Sequence, residues 1–290
     1  MSAIELIVTH PGGAHKDDFL ACSALLAHFD APIERRDPTA EDLANPNVAV
    51  VDIGHLHEPE NHNFDHHQFP RDHEPVCALS LVMQYLGVYE DAKRFCDWLE
   101  TAEWLDCRGP KDTAEHLGVH PQIFSQLNSP IDHTLLRRFG LSQSVEPGQG
   151  LWEMMKLIGE DMLGFLKTIR ERVDFVAANA EHWEIENGSG SFKVVFLPRT
   201  EPLPSEPSMG IVRYVIEAGL DEEVVGLVYP DRRGNGYGLS RYKDHPNLDF
   251  VRIETELDVH FAHKKGFVAK SSATDPLRLR ELIQIAWQVD

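Results

Sequence analysis

Short apolar runs that end in polar loops dominate the first part of the chain, and they predict buried strands followed by helices. Residues 4–9 predict a first strand that ends in a Gly-rich loop, and apolar positions at helical spacing begin after Asp17. Residues 48–53 form an almost continuous apolar run, which is typical of a strand buried on both faces. Together these runs predict a parallel sheet built from strand-helix units.

The pattern is helical between residues 75 and 105, and it is mixed over residues 108–149, which we interpret as a partly helical insertion. A long amphipathic helix is predicted over residues 151–178, where apolar side chains recur every three or four positions. The hydrophobic stripe of this helix indicates a face packed against a core.

Beyond residue 186 the pattern changes to short strands separated by Gly and Pro. It predicts strands at 192–197, 224–229 and 237–242, a hairpin turn at 232–236 and a closing helix at 276–288. We therefore predict an α/β fold with a parallel-sheet domain over residues 1–150, a connecting helix over 151–186 and a smaller α+β domain over 187–290.

The composition is that of a soluble globular enzyme. Of 290 residues, 42% are hydrophobic and 26% are charged, and no apolar run approaches the ~18 residues of a membrane span. Residues 1–8 lack a basic flank and predict a strand, not a signal peptide. The 4 cysteines have no CxxC spacing, which argues against structural zinc and a disulfide framework, so we expect reduced thiols and a cytoplasmic location.

The net charge of −20 argues against broad binding to long nucleic acid, which depends on many lysine and arginine contacts to phosphate. It is compatible with a small phosphate-bearing substrate, because bound divalent cations reverse the local field. We therefore expect a short oligonucleotide or a nucleotide as substrate and no membrane partner. The oligomeric state stays open, a homodimer included.

Candidate metal ligands are concentrated near the N-terminus, since nine of the 16 histidines lie within the first 73 residues. Three segments that follow strand-like runs supply imidazole and carboxylate groups, which are ligands of divalent metals. Because ligands at the carboxyl ends of parallel strands lie at one edge of the sheet, we expect these segments to meet. A sufficient set for two metals bridged by a carboxylate and a water is His10, His15, Asp17, Asp52, His66 and one later carboxylate.

Four motifs carry a resemblance to a known family: Thr9-His10 with Gly12 and His15-Lys16-Asp17-Asp18, then Val51-Asp52-Ile53-Gly54, then Phe64-Asp65-His66-His67-Gln68, and residues 261–269 near the end. In this order they resemble the DHH phosphoesterase superfamily, which includes the RecJ exonucleases and the manganese-dependent family II pyrophosphatases. Within it the chain looks most similar to the melanocyte-proliferating-gene family of metal-dependent exonucleases, as a bacterial-type homologue.

The resemblance implies that His10 and His15 bind one metal, that Asp17 and His66 bind the other, and that Asp52 bridges them. Where superfamily members often have an aspartate, this chain has His15, which leaves the metal preference of the first site open. A fourth motif implies one more carboxylate at a helix end. We choose Asp106 for it, with Glu103 and Asp97 as alternatives.

Further residues are assigned to catalysis and to substrate. We expect Asp65 to orient the neighbouring ligand histidine, and His67 to donate a proton or a hydrogen bond to the phosphate. The resemblance also implies a second domain that closes over the metals, so that the metal site lies in an interdomain cleft. Candidates for phosphate binding in that domain are His263, Lys264, Lys265, Lys270 and Arg241, although Lys264 and Lys265 are equally compatible with a solvated surface pair.

The predicted activity is phosphodiester hydrolysis through a metal-bridging hydroxide. The resemblance implies a 3′–5′ exonuclease on short RNA or DNA, or a nucleotide-type phosphoesterase, with two divalent cations that we expect to be manganese, magnesium being the alternative. The alternatives are a pyrophosphatase-like hydrolase, an inactive metal-binding scaffold, and an amidohydrolase barrel suggested by the His55 and His57 pair. The short strands after residue 186 argue against such a barrel.

Overall fold

The computed structural model describes residues 3–186 and 190–288. Its first sheet has six strands: β1 Leu6–Thr9, β2 Ile33–Arg35, β3 Val48–Val51, β4 His57–Glu58, β5 Asn63–Phe64 and β6 Ser144–Val145. Their order across the sheet is β4-β5-β3-β1-β2-β6. The four inner strands are parallel, and the two edge strands pair antiparallel with their neighbours. The predicted parallel sheet is confirmed.

The register of this sheet brings three strand ends together. Thr9 at the end of β1 pairs with Val51 at the end of β3, and Val51 pairs with Phe64 at the end of β5. All four residues of β3 are buried, as expected for a central strand covered on both faces. The residue that follows each strand therefore emerges at the same edge of the sheet.

Helices follow and connect the strands of the first sheet, and the predicted helical stretches are confirmed. They are α1 Lys16–Leu26, α2 Ala40–Ala44, α3 Ala78–Tyr85, α4 Tyr89–Phe95, α5 Leu99–Leu117, α6 Gln122–Leu127, α7 Pro130–Leu141 and α8 Gly150–Asn179. The helix α8 approaches α1 closely at Gly159, where a Cβ atom would lie 1.8 Å from the carbonyl oxygen of Ser23. Only glycine fits this contact.

The helix α5 is interrupted at Gly109, whose φ of 74° and ψ of 172° are not helical, and Pro110 follows. Proline cannot continue the hydrogen-bond ladder of a preceding turn. The first half of α5 therefore ends at Arg108, and Asp106 lies in its last turn, at the helix end that the sequence predicts for the fourth carboxylate.

The second sheet also has six strands: β7 Glu181–Glu186, β8 Ser191–Phe196, β9 Val224–Pro230, β10 Tyr237–Arg241, β11 Val259–Ala262 and β12 Val268–Ser271. Their order is β11-β12-β10-β9-β8-β7, with β8 and β9 parallel and the other pairs antiparallel. The helices α9 Ile211–Glu217 and α10 Pro276–Ala286 accompany it, and Val176 near the end of α8 packs in one of its cores. The predicted α+β character, the hairpin between β9 and β10 and the closing helix are confirmed.

The chain divides into two compact units, Met1–Lys167 and Thr168–Asp290. The boundary lies inside α8. The connecting helix predicted to extend to residue 186 ends at Asn179, because residues 181–186 form strand β7 and pair with β8. The domain limits expected from the sequence, at residues 150 and 186, stay a prediction, as does the position of the metal site in an interdomain cleft. Residues 187–189, with which the predicted C-terminal domain begins, lie outside the described residues.

Two further observations concern the thiols and the helices. All four cysteines are free, and Cys22, Cys77 and Cys96 are buried. Within residues 3–186 and 190–288, no helix has both the length and the apolar character of a membrane span. The cytoplasmic location stays a prediction.

Candidate metal centre

The three parallel strand ends deliver the first group of candidate ligands. His10 follows β1, Asp52 follows β3, and the triplet Asp65-His66-His67 follows β5. Asp52 has a left-handed backbone with φ of 58°, a conformation that aspartate adopts more readily than most residues. This turn allows its carboxylate to stay buried at the edge of the sheet.

The loop between β1 and α1 is fixed by a buried ion pair. Asp18 Oδ1 accepts hydrogen bonds from the backbone N–H groups of His15 and Phe19, both at 2.8 Å. Arg35, which ends β2, contacts Asp18 Oδ2 at 3.3 Å and donates to the carbonyl of Gly12 at 3.1 Å. Both side chains are almost fully buried. The Asp18–Arg35 pair therefore sets the position of the loop that carries His10 and His15.

Candidate ligand atoms from these segments and from α5 come within a few ångströms of each other. His66 Nε2 lies 2.9 Å from Asp106 Oδ2 and 3.2 Å from Asp52 Oδ1. His10 Nε2 lies 3.4 Å from Asp52 Oδ2, and His15 Nδ1 lies 4.0 Å from Asp106 Oδ1. Asp52 and Asp106 thus connect the histidines into one cluster.

Four overlapping groups in the described residues have ligand atoms all within 4.8 Å of one another: His10, His15 and Asp52; Asp52, His66 and His67; His66, Asp106 and Cys107; and His15, Asp17 and Asp106. Each of the six predicted metal ligands belongs to at least one group. The structure therefore brings the predicted ligand set together, while the assignment of each ligand to one of two metals stays a prediction.

Several buried polar atoms of the cluster lack a hydrogen bond of good geometry, and this indicates that the set suits cations. In the described part of the chain, both oxygens of Asp17, Oδ1 of Asp52 and Nε2 of His66 are buried and lack a hydrogen bond of good geometry. Buried polar groups are nearly always paired, and an exception calls for an explanation such as an ion. Carboxylate oxygens and imidazole nitrogen are suitable donors for divalent metals, so the residues present fit such ions.

The electrostatics of the cluster agree with this interpretation. Burial raises the pKa of the Asp17 carboxyl well above its usual range, and the nearby Asp52 and Asp106 carboxylates raise it further. Burial also raises the pKa of Asp52. Burial alone would lower the pKa of His66, but its contacts with Asp106 and Asp52 raise it to about 12. The directions of these shifts indicate that the buried negative charge of the cluster favours a proton or a cation.

Asp65 holds His67 instead of His66. Its Oδ1 lies 2.6 Å from His67 Nδ1 and accepts the His67 backbone N–H at 3.0 Å, and Oδ2 accepts the His55 N–H at 2.7 Å. Burial would raise the pKa of the Asp65 carboxyl, but these hydrogen bonds lower it. His66 Nδ1 faces Cys107 Sγ at 3.7 Å. The expected orientation of a ligand histidine by Asp65 is therefore not what the structure shows.

The three candidates for the fourth carboxylate lie in different environments. Asp106 belongs to the cluster. Glu103, one turn earlier in α5, is buried and accepts hydrogen bonds from Ser80 at 2.6 Å and Tyr89 at 2.7 Å. Asp97 is exposed and precedes α5. This placement supports Asp106.

The sequence did not identify Arg35, Asp18 or Cys107 as parts of the centre. Arg35 ends a strand of three residues, too short to give a pattern. Asp18 stood in the motif, but nothing distinguished its role from that of Asp17. Cys107 directly follows Asp106, and that adjacency was the one available signal.

The predicted phosphate-binding residues lie in the second unit. His263, Lys264 and Lys265 form the turn between β11 and β12, with both lysines exposed. The Arg241 guanidinium contacts the Leu248 carbonyl and lies 3.7 Å from Asp249. A further candidate, Lys270, is paired with Asp231 at 2.9 Å. Their roles stay predictions.

Comparisons with known proteins support the resemblance in the segment that carries the first three motifs. Residues 6–84 match the MYG1 exonuclease family model, described as an uncharacterised protein family (UPF0160). Over 66 residues the chain is 46% identical to the MYG1 exonuclease of Homo sapiens and 44% identical to that of Mus musculus. The aligned stretch covers 21% of this chain and only 17% of the length of each relative.

A structural neighbour is described as the DHH domain of a member of a family of ribosomal proteins. It has a TM-score of 0.35 and 14% identity, and the match covers 98% of this chain and 87% of that chain. The fold assignment depends on the two sheets described above and not on this neighbour. The resemblance to MYG1-type proteins is confirmed for the segment that contributes most of the cluster.

Proposed function

We propose that this chain is a metal-dependent phosphoesterase that hydrolyses phosphodiester bonds. The observation that carries the proposal is the cluster around Asp52 and Asp106, in which buried carboxylate oxygens and a histidine nitrogen lie close together without a hydrogen bond of good geometry. The similarity of residues 6–84 to MYG1 exonucleases supports the same class of activity. Because that similarity covers a minority of each relative, the activity is our inference for this chain.

Two divalent cations would be held by six side chains: His10, His15, Asp17, Asp52, His66 and Asp106. When bound, such cations supply a nucleophile at neutral pH by lowering the pKa of water, and they stabilise charge on the phosphoryl group. The mixture of imidazole and carboxylate groups favours manganese over magnesium, which prefers oxygen ligands and retained water.

His67 is the residue best suited to contact the substrate phosphate. A carboxylate can only accept a hydrogen bond, so the Asp65 contact at 2.6 Å places a proton on His67 Nδ1. The ring is therefore held in one orientation, with Nε2 available for a second partner. The His67 side chain is 52% exposed, whereas that of His66 is 8% exposed. We infer that His67 binds or protonates a phosphate oxygen, while Asp65 is the positioning residue.

The substrates we propose are short RNA or DNA ends, or a nucleotide-type phosphoester. The net charge of −20 opposes attraction of long nucleic acid at a distance. A cluster that gathers cations can still attract a short phosphate-bearing molecule locally. A pyrophosphatase-like activity is the second candidate, because the ligand set itself does not distinguish a diester from an anhydride.

The test compares the manganese-loaded protein on bis(p-nitrophenyl) phosphate, short RNA, short DNA and pyrophosphate, before and after chelation. We expect diester hydrolysis that chelation removes. Asp52→Ala should abolish this hydrolysis and the binding of manganese, because Asp52 contacts both His10 and His66. Asp112→Ala, an exposed position on α5, is the matched control and should change neither. Full activity of the Asp52 variant would contradict the proposal, and cleavage of pyrophosphate alone would support the second candidate.

A further inference from the structure

A hollow of about 220 Å³ lies directly beside the cluster and shares His66, His67 and Asp106 with it. Its outer wall comes from the loop after β5 and from the end of the first half of α5, and includes Phe69, Arg71, His73, Glu74 and Arg108. A second hollow, of about 340 Å³, opens on the His10 side of the same cluster and has no arginine or lysine in its lining. The two sides of the cluster therefore differ in charge.

The two arginines of the smaller hollow differ in their contacts. Arg108 is the last residue before the break at Gly109, and its guanidinium contacts the carbonyl of His73 and, at 3.4 Å, that of Cys107. These contacts hold the guanidinium, and Arg108 forms part of the wall of the hollow. Arg71 is exposed, and among the described residues its side chain has no ion pair or hydrogen bond.

The loop that carries Arg71 is supported by aromatic contacts. The rings of Phe69 and His73 are stacked with centroids 4.7 Å apart, and Phe69 also meets His57 edge-on at 6.0 Å. Since Arg108 contacts the carbonyl of His73, this stack connects the positions of both arginines. Besides Asp106, the carboxylate of Glu74 lines the same hollow and opposes the charge of the two arginines.

Two arginines that line one hollow beside the proposed catalytic cluster point to phosphate chemistry. Arginine is well suited to phosphate because its planar donors can bind two oxygens at once. A hollow of this volume is smaller than the ~300–1,000 Å³ pockets that enclose drug-sized ligands. It suits one phosphate with part of its sugar.

We propose that Arg71 and Arg108 form a binding site for a second phosphate group, adjacent to the one cleaved at the cluster. The inference rests on the proposed function and deepens it, because it selects substrates that carry two phosphates. A dinucleotide with a terminal phosphate is then preferred to the same dinucleotide without one. The terminal phosphate can lie on the 5′ or the 3′ side, and the experiment separates these two sources.

The first measurement is binding without metal. Calorimetric titration of the full chain in chelator compares adenosine 5′-monophosphate with adenosine. We expect the nucleotide to bind about ten-fold more tightly, which is the contribution of one charge-assisted hydrogen bond at a partly exposed site. Arg71→Ala should reduce this preference, and Arg71→Lys should reduce it less, because lysine retains the charge without the planar donors.

Two further variants control for charge. Glu74→Gln should strengthen the preference for the nucleotide two- to three-fold, on the order of one removed repulsion near a surface. Lys111→Ala removes one positive charge from an exposed position on the same α5 helix and should have no effect. Equal binding of both ligands by the wild type, an unchanged preference in Arg71→Ala, or an equal loss in Lys111→Ala would each overturn the proposal.

The second measurement is the ratio of kcat/KM values for the dinucleotides pApA, ApAp and ApA with manganese. We expect one phosphorylated form to exceed ApA about ten-fold, and Arg71→Ala to reduce that ratio. A preference for pApA would place the second phosphate on the 5′ side of the cleaved bond, and a preference for ApAp would place it on the 3′ side. If the wild type hydrolyses no dinucleotide and no bis(p-nitrophenyl) phosphate, the proposed function fails, whereas the binding preference in chelator still decides the phosphate site.

Discussion

Replacing Gly159 with alanine tests whether the contact between α8 and α1 fixes the helix that carries Asp17. A Cβ atom at Gly159 would lie 1.8 Å from the Ser23 carbonyl oxygen and 2.5 Å from its carbonyl carbon. Both contacted atoms belong to the backbone of α1, so no side-chain rotation can relieve them. Gly164 lies on the same helix, and a Cβ there would meet no atom within 4 Å.

The magnitude follows from these distances. Cβ atoms essentially never approach another heavy atom closer than 3.0 Å, so α8 and α1 must separate by more than one ångström. Overpacking of this kind typically costs about 1–3 kcal/mol, and a backbone contact belongs at the upper end. Alanine favours the helix over glycine by about 1 kcal/mol, which offsets part of this cost. We expect Gly159→Ala to lower the free energy of unfolding by about 2 kcal/mol and Gly164→Ala to raise it by up to about 1 kcal/mol.

Urea unfolding of both variants in chelator measures this difference of about 3 kcal/mol in the free energy of unfolding. The manganese content of the folded variants, determined after dialysis, supplies the functional measurement. Displacement of α1 should weaken metal retention in Gly159→Ala and leave it unchanged in Gly164→Ala. Equal stabilities for the two variants would refute the argument from the interhelical contact.

Three further predictions concern named side chains. Asp106→Asn should lose manganese, whereas Glu103→Gln should keep it, because a glutamine oxygen can still accept the hydrogen bonds from Ser80 and Tyr89. The manganese content of both variants after dialysis tests this prediction. Burial raises the pKa of Glu103, so folding stability should fall as pH rises from the ordinary glutamate pKa through the folded-state value. Glu103→Gln should make that fall smaller in urea titrations at several pH values, and the part that comes from Asp17 and Asp52, whose pKa values are also raised, should remain. His263→Ala should retain manganese but raise KM or lower kcat, and metal loss would contradict its role in substrate binding.

The sequence predicted the central strands because their apolar runs are continuous and bounded by turn residues. It did not predict β2, β4, β5 or β6, which have two or three residues each and give no periodicity. The sequence also did not predict the strand order or the register, since both depend on pairing between distant segments. The register that aligns Thr9, Val51 and Phe64 is what makes three separate motifs one site.

Residue types and their positions after strands were enough to predict most of the cluster. They were not enough to separate Glu103 from Asp106, because residues three apart on a helix lie on neighbouring positions of one face. The break at Gly109 makes Asp106 the helix-terminal carboxylate. Arg35 was missed since its role depends on reaching across the sheet to Asp18 and to the carbonyl of Gly12.

Without bound cations, the buried carboxylates of the cluster raise the free energy of the folded state. Burying Asp17 beside Asp52 and Asp106 places like charges together in a region of low dielectric, where an unpaired carboxylate is costly. Protons can reduce this charge, as the raised pKa values of Asp17 and His66 indicate. Protons and divalent cations therefore compete for the same atoms, so acidification weakens metal binding. Any cation that binds only the folded chain also stabilises it, by about 2.7 kcal/mol at one hundred times its dissociation constant.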